Sequence, residues 1–195
     1  MHIVIKNFIK IKDLINNKLL NKPPIIIAVT KTFNMDVIEP LLDYGHRHFG
    51  ENKVQEAIIK WKEYKSKYPQ LNLHLIGKLQ SNKVKDAINI FDYIHSLDSE
   101  KLALKLNAAE LQLKKKCQYF IQINIGDEKQ KSGISINEIN NFLEFLKNNT
   151  QLNIIGLMCI PPINYNSEIY FSKMKSISRD INLSQLSMGM SSDYL

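Results

Sequence analysis

The residue of this sequence best suited to chemistry is Lys31, which directly follows the apolar run 25–30. Pro23 and Pro24 precede the run and bar a helix from entering it, so we expect a strand buried on both faces. Ligands of α/β proteins collect at the carboxyl ends of such strands. A lysine held there, partly out of water, loses some preference for the charged form, and its neutral amine suits a Schiff base with an aldehyde. The alternative is an ordinary solvated loop lysine.

A second candidate feature is the segment 187–191, which reads Ser-Met-Gly-Met-Ser. The hydroxyls of Ser187 and Ser191 and the backbone N–H groups around Gly189 suit a phosphate. A serine-rich helix cap is the alternative interpretation. The other residues expected around the same mouth follow the predicted strands, and they are Glu51, Asn52, Gly77, Ser96, Asn124 and Pro161.

Three histidines, His48, His74 and His95, fall on consecutive predicted strands. Such residues could build a metal site in a barrel, but no carboxylate cluster accompanies them. We therefore favour histidines of the core or of a supporting layer. Cys117 and Cys159 do not form a pattern, so we expect no thiol nucleophile, and two such cysteines fit a reducing cytosol.

The elements that must position these residues alternate along the chain. Apolar residues at three- and four-residue steps predict helices, and short apolar runs predict strands. The predicted strands are 25–31, 48–51, 73–77, 93–97, 119–125, 154–160 and 186–190. The predicted helices are 3–20, 35–44, 54–64, 83–88, 100–109, 136–146 and 170–181.

Uninterrupted alternation predicts parallel βα units with right-handed crossovers. Seven strands favour an α/β fold of the (β/α)8 barrel type over a doubly wound sheet, with an extra N-terminal helix and one strand short of closure. We expect residues 1–195 to form a single domain that is incomplete at its C-terminus.

Composition narrows the function classes. The 195 residues are 44% hydrophobic and 23% charged, which is typical of a globular chain. No apolar run approaches the roughly 20 residues of a membrane helix, and no secretory signal is recognisable. The net charge of +7 is spread over nearly every predicted helix, without an aromatic and basic platform, so neither nucleic acid nor membrane is an expected partner.

Several motifs occur in the order found in one known family. They are AVTKT at 28–32, RHFGENKVQE at 47–56, HLIGKLQSNK at 74–83, SLDSEKL at 96–102, QIN at 122–124, KSG at 131–133, GLM at 156–158 and LSMGMSSD at 186–193. Together they span almost the whole chain. The chain resembles the pyridoxal phosphate homeostasis proteins, and with them the N-terminal barrel of alanine racemase without its second domain.

The resemblance implies a barrel that binds pyridoxal 5'-phosphate (PLP) without established turnover. Lys31 would hold the cofactor as a Schiff base, Asn52 would lie near its ring, and Ser191 would contact its phosphate. Proteins of this kind are thought to buffer or carry the cofactor in the cytoplasm, with PLP-dependent enzymes as recipients. A monomer or weak homo-oligomer is expected. A small PLP-dependent racemase and a degraded, non-binding remnant stay open as alternatives.

The sequence also departs from the family pattern. Thr30 stands where serine is usual, Lys78 where histidine is usual, and Phe33-Asn34 replaces a basic residue and proline. The sequence stops at Leu195, before a further helix and an eighth strand bearing Arg-Ile-Gly. We therefore expect weaker cofactor retention and lower stability, or a second polypeptide that fills the gap.

Overall fold

The fold of the chain was analysed in a computed structural model, which describes residues 1–17, 23–128, 130–162 and 166–191. Strands and helices alternate from β1 to β7, as the sequence predicts. The strands are β1 (Ala28–Val29), β2 (His48–Glu51), β3 (Asn72–Leu75), β4 (Tyr93–Leu97), β5 (Gln118–Ile123), β6 (Asn153–Cys159) and β7 (Gln185–Ser187). The helices are α1 (Ile3–Asn16), α2 (Met35–Asp43), α3 (Val54–Lys67), α4 (Val84–Ile90), α5 (Glu100–Leu113), α6 (Ile139–Asn149) and α7 (Ser167–Asp180).

The seven strands form one parallel sheet in the order β1-β2-β3-β4-β5-β6-β7. A doubly wound sheet reverses its strand order near the middle, and this sheet does not. The sheet is curled, as a contact across its interior shows: Ser187 on β7 forms a hydrogen bond with His95 on β4, three strands away. The prediction of an α/β fold of the barrel type with seven strands is therefore confirmed.

The two faces of the sheet differ in character. Phe49 of β2 and Trp61 of α3 pack together with no exposed surface, and Leu73, Leu75 and Ile121 are equally buried. The opposite, inner face carries rings with polar atoms, among them those of the three histidines. Alternating side chains thus divide an apolar outer layer from a polar interior.

The prediction for the first strand is wrong in extent and in burial. Only two of its residues pair with β2, Ile25 is 65% exposed and Val29 is 42% exposed. β1 is an edge strand whose single neighbour among the described strands is β2, so its inner face stays open to solvent. The apolar run reflects a strand at the rim of a curled sheet and not one enclosed on both sides.

Element ends differ in smaller ways. α1 ends at Asn16, and the rest of the predicted helix 3–20 extends into residues that the structure does not describe. Ser99 caps α5 through a 3.4 Å hydrogen bond from the Leu102 N–H. Asn34 precedes α2, and its side chain makes no capping hydrogen bond. Within the described ranges, no helix combines the length and apolarity needed to cross a membrane.

Candidate functional site

A cavity of about 340 Å³ opens at the carboxyl ends of β2, β3, β5 and β6. Ligand sites of α/β barrels form at this end. The lining residues are Asn52, Ile76, Gly77, Lys78, Gln122, Ile123, Asn124, Gln130, Lys131, Ser132 and Ile160. We refer to this cavity as the mouth cavity.

Gly77 and Asn52 form the tightest part of the mouth cavity. A Cβ atom on Gly77 would lie 2.2 Å from the Asn52 carbonyl oxygen, a distance that real Cβ atoms do not reach. Only glycine therefore allows the backbone after β3 to approach that of residue 52. Asn52 lines the cavity as expected, and the glycine explains how its backbone comes to rest there.

One wall of the mouth cavity is a loop between β5 and α6 that polar side chains of β5 hold in place. The Asn124 amide donates to the Glu128 carbonyl and accepts from the Glu128 N–H, and the Gln122 amide donates to the Ser132 carbonyl. Lys131 pairs with Glu128 at 2.6 Å and donates to the Pro161 carbonyl. The loop thus keeps a lysine at the mouth with its amine directed to oxygen acceptors.

Lys31 lies in the turn after β1, and its side chain is exposed. The expectation that this lysine is partly removed from water is wrong, because the open edge beside β1 leaves it uncovered. Its neighbours alternate in direction. A Cβ on Gly50 would contact Val29 from the inner face, whereas the Thr30 hydroxyl bonds Glu51 on the outer face.

Behind Lys31 lies a buried polar cluster that the sequence interpretation missed. Glu51 is fully buried, and its Oε1 accepts hydrogen bonds from three donors. They are the Thr30 hydroxyl at 2.7 Å, the Lys60 amine at 2.9 Å and the Trp61 indole N–H at 2.9 Å.

Lys60 also donates to the Thr30 carbonyl at 2.6 Å, and that carbonyl belongs to the peptide bond leading to Lys31. The cluster therefore fixes the backbone from which the candidate lysine projects. The signal available in the sequence was a glutamate at the buried end of a predicted strand, with a lysine nine residues on in the next helix.

The three remaining candidate residues lie on or after β7, and none of them lines the mouth cavity. Ser187 points into the interior of the curled sheet, where its hydroxyl oxygen lies 2.7 Å from His95 Nδ1. Gly189 has a φ of +88°, a left-handed conformation that favours glycine, and the segment turns there. Ser191 is exposed in the following turn.

The three histidines lie in the interior of the curled sheet, where His74 contacts both His48 and His95. His48 Nδ1 lies 3.0 Å from His74 Nε2, and His74 Nδ1 lies 2.9 Å from His95 Nε2. Tyr93 stacks on His74, and Phe120 stacks on His95. We call the series His48, His74, His95 and Ser187 the histidine relay. The sequence predicts that each histidine lies on a strand. It does not predict that their rings meet, because that depends on the register of the strands.

Burial keeps the relay neutral. Desolvation lowers the pKa of His74 to about 2, with the neighbouring histidines contributing, and it lowers the pKa of His95 to about 3. The expectation of core histidines fits this environment. Across the described part of the chain, no group of three or more His, Cys, Asp or Glu residues is arranged to hold a metal ion.

Comparison with known proteins gives a consistent result. Residues 9–195 match the family model described as alanine racemase, N-terminal domain. A protein of Synechocystis sp. named pyridoxal phosphate homeostasis protein is 38% identical over 181 residues, covering 87% of this chain and 81% of that protein. The Escherichia coli protein of the same name is 33% identical, covering 86% of this chain and 76% of its own length.

Solved structures agree with the sequence relatives. PipY of Synechococcus elongatus without PLP superimposes with a TM-score of 0.85 and 34% identity, covering 95% of this chain and 90% of that one. PipY with PLP bound gives 0.81 and 33% over the same shares. An alanine racemase of Clostridium difficile, 16% identical with a TM-score of 0.70, shares the fold over 49% of its length. The chain therefore belongs to the pyridoxal phosphate homeostasis protein family, within the alanine racemase N-terminal domain family.

Proposed function

We propose that this chain binds PLP at its barrel mouth and takes part in PLP homeostasis. The observation that carries the proposal is the close structural match to PipY, which was solved with PLP bound. The names of relatives at 33–38% identity support the same function. The (β/α) architecture supports the location, since sites of this fold form where the strands end.

The residues at the mouth fit the chemistry of this cofactor. When bound, PLP supplies an aldehyde that an amine can hold covalently, together with a phosphate dianion. Lys78 lines the mouth cavity and offers positive charge to an anion, whereas the amine of Lys131 is engaged by Glu128 and the Pro161 carbonyl. The close approach of Gly77 to the Asn52 backbone fixes the position from which the Asn52 side chain extends at the mouth cavity, where it would lie near the ring.

In this proposal Lys31 provides the amine for the Schiff base. Strand alternation assigns residue 31 to the inner side that Val29 shares with Gly50. The Glu51–Lys60 pair holds the preceding Thr30 carbonyl, so the lysine extends from a fixed backbone although β1 is a short edge strand. Attachment requires the neutral form of the Lys31 amine, because its lone pair attacks the aldehyde carbon.

The turn after β7 is the proposed phosphate contact. Ser191 would donate its hydroxyl, and the left-handed backbone at Gly189 would turn N–H groups toward the anion. Ser187 has one contact to His95 and a hydroxyl that can serve a second partner. The covalent bond to Lys31, the ring contact of Asn52 and the phosphate contact of Ser191 would together define the orientation of the cofactor.

We further propose that the chain holds and releases PLP without converting amino acids. The described residues that line the mouth cavity include no His, Tyr, Asp or Glu, so Lys78 and Lys131 are the only side chains there that could exchange a proton with a bound substrate. The proposed recipients are PLP-dependent enzymes. Cys117 and Cys159 are both buried, and the proposed compartment is the reducing cytosol.

The test is uptake of PLP by the purified chain, followed by visible absorbance, borohydride reduction and peptide mapping. We expect an absorbance band, a reduced adduct on Lys31 and loss of both in Lys31→Ala. Lys62→Ala, which changes an exposed lysine of α3, is the matched control and should keep the band. An adduct on another lysine, with Lys31→Ala still labelled, would exclude the proposed attachment.

A racemase would be recognised separately. A single enantiomer of alanine, incubated with the PLP-loaded chain in deuterated water, should keep its configuration and its Cα hydrogen. Steady exchange or racemisation that disappears in Lys31→Ala would contradict the holding role and establish an enzyme. A folded chain that takes up no PLP would favour the non-binding remnant.

A further inference from the structure

The histidine relay has a directionality that follows from proton counting. A neutral imidazole has one N–H group and one bare nitrogen, so it donates on one side and accepts on the other. His74 and His95 each use both ring nitrogens within the relay. All three hydrogen bonds must therefore run in the same direction, either toward Ser187 or toward His48.

The two directions leave different groups at the ends. When the bonds run toward Ser187, its oxygen accepts from His95 and its hydroxyl proton is free for another partner. His48 then donates through Nδ1 and has a bare Nε2. When the bonds run toward His48, the Ser187 hydroxyl proton is used on His95, and His48 Nδ1 must accept.

We propose that the histidine relay couples anion binding at Ser187 to protonation of His48. An anion beside Ser187 requires a donated hydroxyl proton and so selects the direction toward Ser187. A proton on His48 Nε2 selects the same direction, because an imidazolium has no bare nitrogen with which to accept from His74. Each event thus favours the other, although the two residues lie on strands β2 and β7.

The packing of the relay favours a change of direction without movement of the rings. Tyr93 lies 4.3 Å from the His74 ring at an angle of 12°, and Phe120 lies 4.4 Å from the His95 ring at 22°. His74 and His95 are 3% and 1% exposed, so water does not compete for their nitrogens. Reversal toward His48 shifts one proton across each hydrogen bond, while one proton is taken up at His48 Nε2 and the original hydroxyl proton leaves Ser187.

The His48 end is suited to take up the proton. His48 is partly exposed, and its Nε2 has no hydrogen-bond partner within residues 1–17, 23–128, 130–162 and 166–191. The negative charge of Asp92 raises the pKa of His48, although Lys65 pairs with Asp92 at 2.5 Å. Two other groups face the ring: His46, whose Nε2 contacts the His48 carbonyl, and Tyr93. Burial lowers the pKa of His48, and a bound anion would raise it.

The inference rests on the proposed function only in naming the PLP phosphate as the natural anion. Sulfate is a suitable probe, because it keeps its charge across the neutral range and cannot form a Schiff base. Linkage makes the effect reciprocal: the factor by which a proton on His48 strengthens sulfate binding equals the factor by which sulfate shifts the proton equilibrium. We expect about fivefold or more, the lower range of such couplings.

The experiment is nuclear magnetic resonance of the full chain with ¹⁵N-labelled histidine, titrated with acid with and without saturating sulfate. We expect sulfate to move the His48 titration to higher pH and to fix the proton of His95 on Nδ1. Sulfate affinity measured above and below that titration should change by the same factor. A His48 titration that sulfate leaves in place, or a His95 proton found on Nε2 in the sulfate complex, would overturn the proposal.

His95→Phe removes the middle of the relay while keeping a ring to stack on Phe120. A purely structural role predicts that this variant binds sulfate more weakly by the same factor at every pH. The relay predicts that its affinity no longer depends on the His48 titration. His2→Gln, which changes an exposed histidine before α1, is the control and should keep the dependence.

The outcomes separate this inference from the proposed function. Sulfate coupling without a PLP adduct on Lys31 would support the relay and remove the Schiff base. A PLP adduct with a His48 titration that is indifferent to sulfate would keep the proposed function and remove the relay. Failure of sulfate to bind at all would contradict the relay, since the anion is one of its two ends.

Discussion

Two glutamates, Glu51 and Glu110, are each buried at one end of the parallel sheet, and their surroundings differ. Glu110 lies near the amino end of β5. Its Oε1 accepts from the Cys117 N–H at 2.6 Å and the Tyr119 hydroxyl at 2.9 Å, and Lys116 lies 3.0 Å from its Oε2. Oε2 of Glu110 therefore has an ion pair, but it has no hydrogen-bond partner among the described residues.

Glu51 lies at the carboxyl end of β2, and its bonds are distributed unevenly. Oε1 accepts from all three donors, and Oε2 is buried with no hydrogen-bond partner among the described residues. Its cation, Lys60, is 14% exposed, whereas Lys116 at the other end is 55% exposed. Oε2 of Glu51 therefore lacks even the ion pair that Oε2 of Glu110 has, because Lys60 pairs with Oε1. A buried carboxylate oxygen without any partner costs free energy, so this end keeps an arrangement that stability alone does not favour.

The contrast agrees with a general property of α/β barrels, in which residues at the amino end of the strands contribute to stability and residues at the carboxyl end contribute to function. The length of backbone pairing between neighbouring strands shows the same difference. β5 and β6 pair over six residues of β5, whereas β1 and β2 pair over two. The backbone that leads to Lys31 therefore depends on side-chain hydrogen bonds where other strands depend on the sheet itself.

The largest expected effect is at the stable end. Glu110→Ala would leave the Cys117 N–H and the Tyr119 hydroxyl buried without an acceptor, and we expect a loss of about 4 kcal/mol in unfolding free energy. Chemical denaturation measures it. Glu144→Ala, on the exposed face of α6, is the control and should change stability by less than about 0.5 kcal/mol. A small effect of Glu110→Ala would break the comparison at once.

The second largest expected effect is a loss of unfolding free energy in acid. The folded chain holds His74 and His95 neutral, with pKa values of about 2 and about 3, whereas the unfolded chain protonates them near their ordinary pKa. The unfolded state then binds more protons, so stability is complete above the ordinary histidine pKa and falls as the pH drops below it. The expected slope is roughly 3 kcal/mol per pH unit for the pair.

Denaturant titrations at successive pH values measure this slope. His95→Gln should remove about half of it, and His2→Gln should leave it unchanged. Hydrogen exchange in mild acid sharpens the comparison. We expect amides of β2 near Glu51 to lose protection before those of β5 near Tyr119, and the reverse order would contradict the assignment of the stable end.

The third prediction concerns the backbone before Lys31. Lys60→Met would leave Glu51 charged and buried, and we expect a loss of about 2 kcal/mol, measured by denaturation, together with slower attachment of PLP. Adding Glu51→Gln to that variant removes the uncompensated charge and should restore at least half of the stability. If the double variant is as unstable as Lys60→Met, the cost does not come from a buried unpaired charge.

How far the sequence predicts this molecule depends on the range of the forces involved. Strand and helix order follows from local periodicity, and seven βα units with short connections leave few arrangements besides consecutive parallel strands. The five proposed site residues, however, came from family resemblance and strand ends. Only Asn52 lines the mouth cavity, and Ser187 instead contacts His95 across the interior.

What the sequence could not predict are contacts set by register and curvature. No local pattern shows that His48, His74 and His95 meet, because a shift of one residue in pairing would turn each ring to the other face. The exposure of Lys31 has a similar origin. An apolar run has the same appearance in a central strand and in an edge strand, and only the neighbours of β1 distinguish them.

The smallest expected effect sharpens the comparison most directly. Lys116→Ala removes the cation of the stable end, yet Lys116 is half exposed and water can replace its amine at Glu110. We expect a loss below about 1 kcal/mol that shrinks further in high salt, whereas the cost of Lys60→Met should be nearly independent of salt. The two variants are compared by denaturation at low and high ionic strength. Equal costs, or equal salt dependence, would mean that burial of the lysine does not distinguish the two ends, and the case for Lys60 as a residue that positions Lys31 would fail.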